Sequence, residues 1–278
     1  MERKCYAKIN LTLDSLYKRD DGYHEIDTIM ARISLFDRLI VNTNEDNKFT
    51  YESNTDELGR VEDNLIYKAY NLLKGRVKNR GIDVKLIKNI PLAAGLAGGS
   101  TDAAEMIKAL NILWDLRMDK KEMMDLGARL GADIPFFFLE KTARARGIGE
   151  ILTPFTNKLN LKVLLVNDGT EISSAYVYKN LKDYGFIDNE RIVRDLIEAN
   201  YGVIDKFSNV MEEVIFEKFP HLLKIRDSLI NLGARKAMVS GSGASIFAIF
   251  ADEKSLEEAY EKCLGKYKTV MKVDLIDD

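Results

Sequence analysis

Pro91-Leu92-Ala93-Ala94-Gly95-Leu96-Ala97-Gly98-Gly99-Ser100-Thr101-Asp102-Ala103-Ala104 is the stretch on which the reading of this chain turns. A strand-like run over 82–90 leads into it, and a helical pattern leaves it. In that pattern Ala103, Ile107, Leu110 and Trp114 recur at offsets of three and four, the period of one buried helical face. Glycines, a serine and a threonine stand between strand and helix. Few side chains obstruct such a loop, so successive backbone N–H groups can close around an anion. The first helical turn adds unpaired donors and the positive end of the helix dipole. Phosphate is the expected guest. The same residues also suit a plain glycine turn, and Ser100-Thr101 also suits an ordinary helix N-cap.

Two familiar phosphate loops are excluded by spacing. A Walker A loop ends in Gly-Lys-Ser/Thr, whereas Gly99 is followed directly by Ser100. The dinucleotide fingerprint requires Gly-x-Gly-x-x-Gly, which Gly95, Gly98 and Gly99 do not supply. Positive charge at the phosphates has to come from elsewhere in the chain.

The 278 residues suffice for one large or two modest domains. With 46% hydrophobic and 31% charged residues, the composition is that of a globular protein. A formal charge of -3 and a pI near 5.7 argue against bulk attraction to nucleic acid or acidic membranes, so any phosphate is handled locally. Cys5 and Cys263 are far apart and lack metal-ligand spacing, which fits unpaired thiols in a reducing compartment. No long apolar run marks a signal peptide or a span, and a cytoplasmic location is expected.

Residues 6–13 alternate, with Ile9, Leu11 and Leu13 on one face and Lys8, Asn10 and Thr12 on the other, as in a strand with a solvated polar side. Lys8 is a candidate source of the missing charge. Asp20-Asp21-Gly22 marks a hairpin, and Tyr23 and His24 follow it. A ring beside an imidazole can stack a nucleobase and bond its edge, or simply decorate the hairpin base. After strands near 27–42 and a polar loop near 43–60, a helix begins with a cap expected at Asp63 or Glu62. A second helix covers about 120–130. Asp133 stands against Ile134-Pro135-Phe136-Phe137-Phe138. It suits a helix cap, which does not exclude catalysis; buried without a partner it would rise in pKa and neutralise, and beside a lysine it would stay ionised. A loose domain boundary falls within 153–160. Helices are expected over 173–183, 190–200, 206–219 and 221–232, Gly233 closing the last. Ser240-Gly241-Ser242-Gly243-Ala244-Ser245 is a second glycine cluster, most simply a tight turn between short strands. A helix near 254–264 and a strand near 268–275 follow.

In this order, Ala7-Lys8-Ile9-Asn10-Leu11, Asp21-Gly22-Tyr23-His24-Glu25, Glu62-Asp63-Asn64-Leu65-Ile66, the loop 91–104, Leu130-Gly131-Ala132-Asp133-Ile134-Pro135, Gly147-Ile148-Gly149-Glu150 and Ser240-Gly241-Ser242-Gly243-Ala244 resemble the GHMP kinase superfamily over almost the whole chain. Lys8 and Asn10 together with Asp-Gly-Tyr-His narrow the resemblance to the branch acting on a diphosphocytidyl-methylerythritol in the non-mevalonate isoprenoid pathway. The resemblance implies an α+β fold in two domains. An N-terminal mixed α/β domain over 1–155 would carry the phosphate loop and catalytic aspartate, and a C-terminal ferredoxin-like domain would cover 156–278. It implies transfer of the ATP γ-phosphate to the 2-hydroxyl of that substrate, with Mg²⁺. Asp133 would accept or orient the hydroxyl proton, and Lys8 would keep it ionised and stabilise negative charge. Asn10 would position the substrate. Tyr23 and His24 would hold the cytosine, with Tyr178 closing on its other face. Pro91, Ala93, Ala94, Gly95, Leu96, Ala97, Gly98, Gly99, Ser100 and Thr101 would embrace the ATP phosphates, with Asp63 and Asn64 toward the adenine. The metal ligands are left open. ATP and the small-molecule substrate are the expected partners, without nucleic acid or membrane, for a monomer or weak homodimer.

Two other classes share this fold. Diphosphomevalonate decarboxylases act on a substrate without a nucleobase, which leaves Tyr23-His24 unexplained. A non-catalytic relative would lack Asp133 or Lys8, and both are present.

Overall fold

The computed structural model describes residues 1–182 and 184–277. Two long strands, β1 (Glu2–Lys18) and β2 (His24–Thr43), form the expected hairpin. Its turn is closed by Arg19 N–H donating to the Tyr23 carbonyl at 2.8 Å and Gly22 N–H donating to the Arg19 carbonyl at 3.1 Å. The chain packs as two compact units that interleave along the sequence. One comprises Met1–Ala7, Leu35–Ile90 and Ala97–Leu139; the other comprises Lys8–Ser34, Pro91–Leu96 and Glu140–Asp278.

In the first unit, β3 (Phe49–Ser53) runs parallel to β4 (Ile82–Ile87), which pairs antiparallel with β2 from Arg38↔Ile87 to Thr43↔Ile82. β3 lies inside the region read as a polar loop. Helix α1 (Leu65–Leu73) packs on α2 (Gly98–Leu113), and Ala103, Ile107 and Leu110 are buried as their period requires. Helix α3 (Lys120–Ala128) opens with a capping box, Asp119 accepting from Glu122 N–H while Glu122 reaches back. A 3₁₀ helix, Ile134–Phe138, buries Phe136 and Phe138 completely enough that each contributes about 1.5–3 kcal/mol of transfer free energy.

In the second unit, β5 (Ala143–Gly147) pairs with β2 and with β6 (Ile151–Pro154). A separate four-stranded antiparallel sheet is built from β7 (Lys162–Asn167), β8 (Lys236–Val239), β9 (Ile246–Phe250) and β10 (Thr269–Val273) in the order β10-β7-β9-β8. The short strand β11 (Leu275–Ile276) returns to β2. Helices α4 (Ser174–Lys179), α5 (Asn189–Ile197), α6 (Glu212–Lys218), α7 (Pro220–Asn231) and α8 (Glu253–Cys263) occur near the expected places. The helix expected over 206–219 is shorter, because a 3₁₀ turn (Tyr201–Lys206) precedes it and Asn209 is spent on two carbonyls. Leu13, Leu164, Val166, Ile215, Leu229 and Ile246 belong to one apolar cluster.

Candidate active site

Strand β1 corrects the expectation of a solvated polar face. Lys8 is 4% exposed and Asn10 2%, and Thr12 is fully buried. A buried ammonium and amide require partners. Lys8 Nζ donates to Asn10 Oδ1 at 2.6 Å, and Asn10 Nδ2 donates to Thr28 Oγ1 at 2.8 Å. The Thr28 hydroxyl in turn donates to the Thr12 carbonyl at 2.5 Å.

The same strand holds the first half of the glycine loop. Lys8 N–H donates to the Leu96 carbonyl at 3.1 Å, and Ser245 N–H donates to the Ala94 carbonyl at 3.1 Å. Asn10 N–H donates to Ser240 Oγ at 3.3 Å, and that hydroxyl donates to the Gly95 carbonyl at 3.0 Å. The second glycine cluster, a weak signal in the sequence, thus buttresses the loop, and Ser240 gains a role that the sequence did not give it. Asn209 steadies the cluster by donating to the carbonyls of Val239 and Gly241 at 2.9 and 2.8 Å.

The second half of the loop opens α2. Ala97 occupies the N-cap position in the left-handed region, φ +55° and ψ +35°, and no side chain caps the helix. The N-cap reading of Ser100 and Thr101 is therefore corrected: both lie within the helix, and its first N–H donors meet no capping side chain. Gly98 and Gly99 stand ahead of them in the same turn. A Cβ on Gly98 would lie 3.1 Å from Lys88 Nζ, so that ammonium sits beside the turn. Lys88 is buried in a network that the sequence did not reveal, bonded to Asp37 and, at 2.9 Å, to Asp102. Asp37 also accepts the N–H groups of Asn89 and Ile90 at 2.5 and 2.8 Å. Burial pushes the Asp102 carboxyl up to about 7, against the pull of Lys88.

The helix cap expected at Asp63 or Glu62 is supplied instead by Asn64. Its Oδ1 accepts from Ile66 N–H at 2.9 Å while Nδ2 donates to Tyr51 Oη at 3.2 Å. Asp63 is exposed and paired with Arg60. Asp133 precedes the 3₁₀ helix half-buried, and its carboxylate makes no capping bond to that helix, which removes the capping alternative.

His24 begins β2 only 6% exposed, and its Nε2 is buried without a hydrogen-bond partner. The imidazole stacks with Tyr178 at 5.2 Å between centroids and 29° between planes, and with Tyr184 at 6.0 Å and 15°. Burial, helped by Lys18, lowers its pKa, so the ring is neutral at pH 7. Tyr23, beside it, is 60% exposed. The structure thus brings Tyr178 to His24 across the sequence and adds Tyr184, to which the sequence reading gave no role.

Among the described residues no cluster of three or more His, Cys, Asp or Glu side chains is arranged to hold a metal ion. Glu105, further along α2 than Asp102, accepts from Arg3 at 2.7 Å and from Lys108 at 2.8 Å and does not suit a metal ligand.

Two family models match the chain, GHMP kinases N terminal domain over residues 64–141 and GHMP kinases C terminal over residues 190–269. The 4-diphosphocytidyl-2-C-methyl-D-erythritol kinase of Thermoanaerobacter pseudethanolicus is 41% identical over 99% of this chain and 96% of its own. The protein of that name from Alkaliphilus oremlandii is 39% identical over 95% and 93%. A crystal structure of 4-(cytidine 5'-diphospho)-2C-methyl-D-erythritol kinase has a TM-score of 0.86 at 32% identity, with both chains fully covered. A mevalonate kinase from L. major matches at a TM-score of 0.74 and 15% identity over 100% and 96% of the two chains, which shows the shared fold alone. The chain belongs to the GHMP kinases, in the family of the 4-diphosphocytidyl-2-C-methyl-D-erythritol kinases. It is a small-molecule kinase with ATP as co-substrate.

Proposed function

We propose that this chain transfers the γ-phosphate of ATP to the 2-hydroxyl of 4-diphosphocytidyl-2-C-methyl-D-erythritol, in the non-mevalonate route to isoprenoid precursors. The observation that carries this reading is the buried, neutral His24 with an unpartnered Nε2 and tyrosine rings stacked against it. That arrangement suits a nucleobase edge, and mevalonate, homoserine and galactose have no base to offer.

Phosphoryl transfer asks for alignment and charge stabilisation rather than covalent chemistry from the protein. In this proposal Asp133 accepts or orients the proton of the attacking hydroxyl, and Lys8 stabilises the charge that develops. Asn10, already bonded to the Lys8 ammonium, positions the acceptor. Tyr23, His24 and Tyr178 hold the cytosine. The amides of 93–101 take the phosphates, supported by the uncapped start of α2, and Asp63 and Asn64 lie toward the adenine. Mg²⁺ would accompany ATP and supply charge neutralisation at the phosphates, in keeping with described residues that form no group of three or more His, Cys, Asp or Glu arranged to hold a metal.

A division into domains at 155/156 is supported by the two matched family models, which fall one on each side of it. No helix among the described residues is long and apolar enough to cross a membrane. We place the enzyme in the cytoplasm, as a monomer or weak homodimer. The deciding experiment is a coupled ADP-release assay offering the cytidyl substrate, mevalonate, homoserine and galactose in turn. Turnover with the first alone is expected; turnover with any of the others instead would reject the reading.

A further inference from the structure

Tyr184 lies in a stretch without regular secondary structure, yet that stretch is fastened to the hairpin that carries His24. Asp14 of β1 is completely buried, and both its oxygens are committed to this task. Oδ1 accepts from Gly185 N–H at 3.2 Å and Oδ2 from Ile187 N–H at 2.8 Å. Gly185 N–H also donates to the Ser15 carbonyl at 2.9 Å. A buried carboxylate needs such donors, and here the backbone following Tyr184 supplies them. The tyrosine ring itself packs against the apolar cluster around Leu164 and Ile215. It is therefore held by its own side chain and by the backbone that follows. Its plane lies closer to that of His24, at 15°, than the plane of Tyr178 does, at 29°.

A buried imidazole with no hydrogen bond at Nε2 has no polar contact at that atom to set its rotation. A flat ring stacked on it restricts that rotation instead. We propose that Tyr184, anchored through Asp14, is a positioning residue of the nucleobase subsite: it fixes the plane of the His24 imidazole and hence the direction in which Nε2 meets a pyrimidine edge. The inference rests on the cytidyl reading above.

The test uses the full chain, with CDP as the binding probe in calorimetry and steady-state kinetics in both substrates. Tyr184→Ala is expected to weaken CDP binding and raise KM for the cytidyl substrate about threefold to tenfold, the scale of one lost aromatic stack. KM for ATP and kcat should stay at the parent values, and the imidazole NMR signals of His24 should move. Tyr184→Phe, which keeps the ring, should behave as the parent. Tyr184→Leu keeps the apolar volume without a flat ring and carries the same test should the alanine variant not fold. Parent-like CDP affinity in the ringless variants, or a loss shared equally by ATP, overturns the positioning role alone. If the parent itself binds CDP no better than inorganic pyrophosphate, the cytidyl reading fails and this inference with it.

Discussion

The carbonyl oxygen of Ser240 occupies the place a side chain on Gly95 would need: a Cβ built there lies 2.0 Å from it, although 145 residues separate the two. The Ser240 hydroxyl meanwhile donates to the carbonyl of the same glycine at 3.0 Å. One residue of the second glycine cluster thus both excludes a side chain from the first glycine loop and bonds its backbone.

Gly95→Ala should accordingly be among the most damaging small substitutions in the chain. Gly95 has φ +75°, so the methyl group meets a backbone penalty of about 1–2 kcal/mol in addition to the clash with Ser240. The expected outcome is a lower melting temperature together with a raised KM for ATP. A variant matching the parent in both would show that the loop does not need this close approach.

Asp133→Asn should reduce turnover by about 10²- to 10⁴-fold, the usual contribution of a positioned general base, with nucleotide affinity nearly intact. Lys8→Met should also slow turnover strongly, and it removes the partner of Asn10 Oδ1. Steady-state rates beside ATP binding by calorimetry separate the two effects. Equal turnover in parent and Asp133→Asn would remove Asp133 from the chemistry.

Tyr23 is largely exposed at the hairpin, so its removal should cost little stability. Tyr23→Ala is expected to raise KM for the cytidyl substrate far more than KM for ATP. The reverse ranking, measured in the same coupled assay, would move the base-stacking role elsewhere.

The network around Lys88 implies a pH dependence with a defined sign. The Asp102 carboxyl, ordinarily near 3.8, is pushed up to about 7 by burial, with Asp37 acting in the same direction and Lys88 against it. Cys5, Glu105 and Tyr51 are further titratable groups near this network. Because the folded state then binds a proton that the unfolded state releases, stability is full below about pH 4 for this group and declines as pH rises toward 7. Asp102→Asn keeps an oxygen able to accept from Lys88 and removes the titration. Urea melts of parent and variant across that range should show a slope in the parent that is flatter in the variant. Parallel curves would mean that Asp102 titrates in its ordinary range.

The readable part of this protein was local. The glycine loop, the helix with Ala103, Ile107 and Leu110 on its buried face, and the Asp21-Gly22 turn before Tyr23-His24 follow from period, glycine placement and turn chemistry within a few residues. Short strands escaped because their signals are weak: Ala143–Gly147 alternates alanine with arginine, and Phe49–Ser53 sits in a polar stretch. The cap at Asn64 escaped because neighbouring acidic residues compete for the role on paper, and geometry selects one.

Tertiary structure decided what cannot be expressed over a few residues. Lys8 and Asn10 read as a solvated face, since strand alternation reports one apolar side and is silent about what covers the other. Their burial depends on Thr28 and Ser240, which are 18 and 230 positions from Asn10. The Asp37–Lys88–Asp102 network and the Asp14 anchor of the Tyr184 segment are likewise products of long-range packing. The sequence by itself determined the family, the loop and the residues able to do chemistry; the fold decided which are buried, bonded and held still. Desolvation is the physical reason: a charge or a polar ring acquires its pKa, partners and orientation from whatever displaces its water, and that is set by contacts between distant parts of the chain.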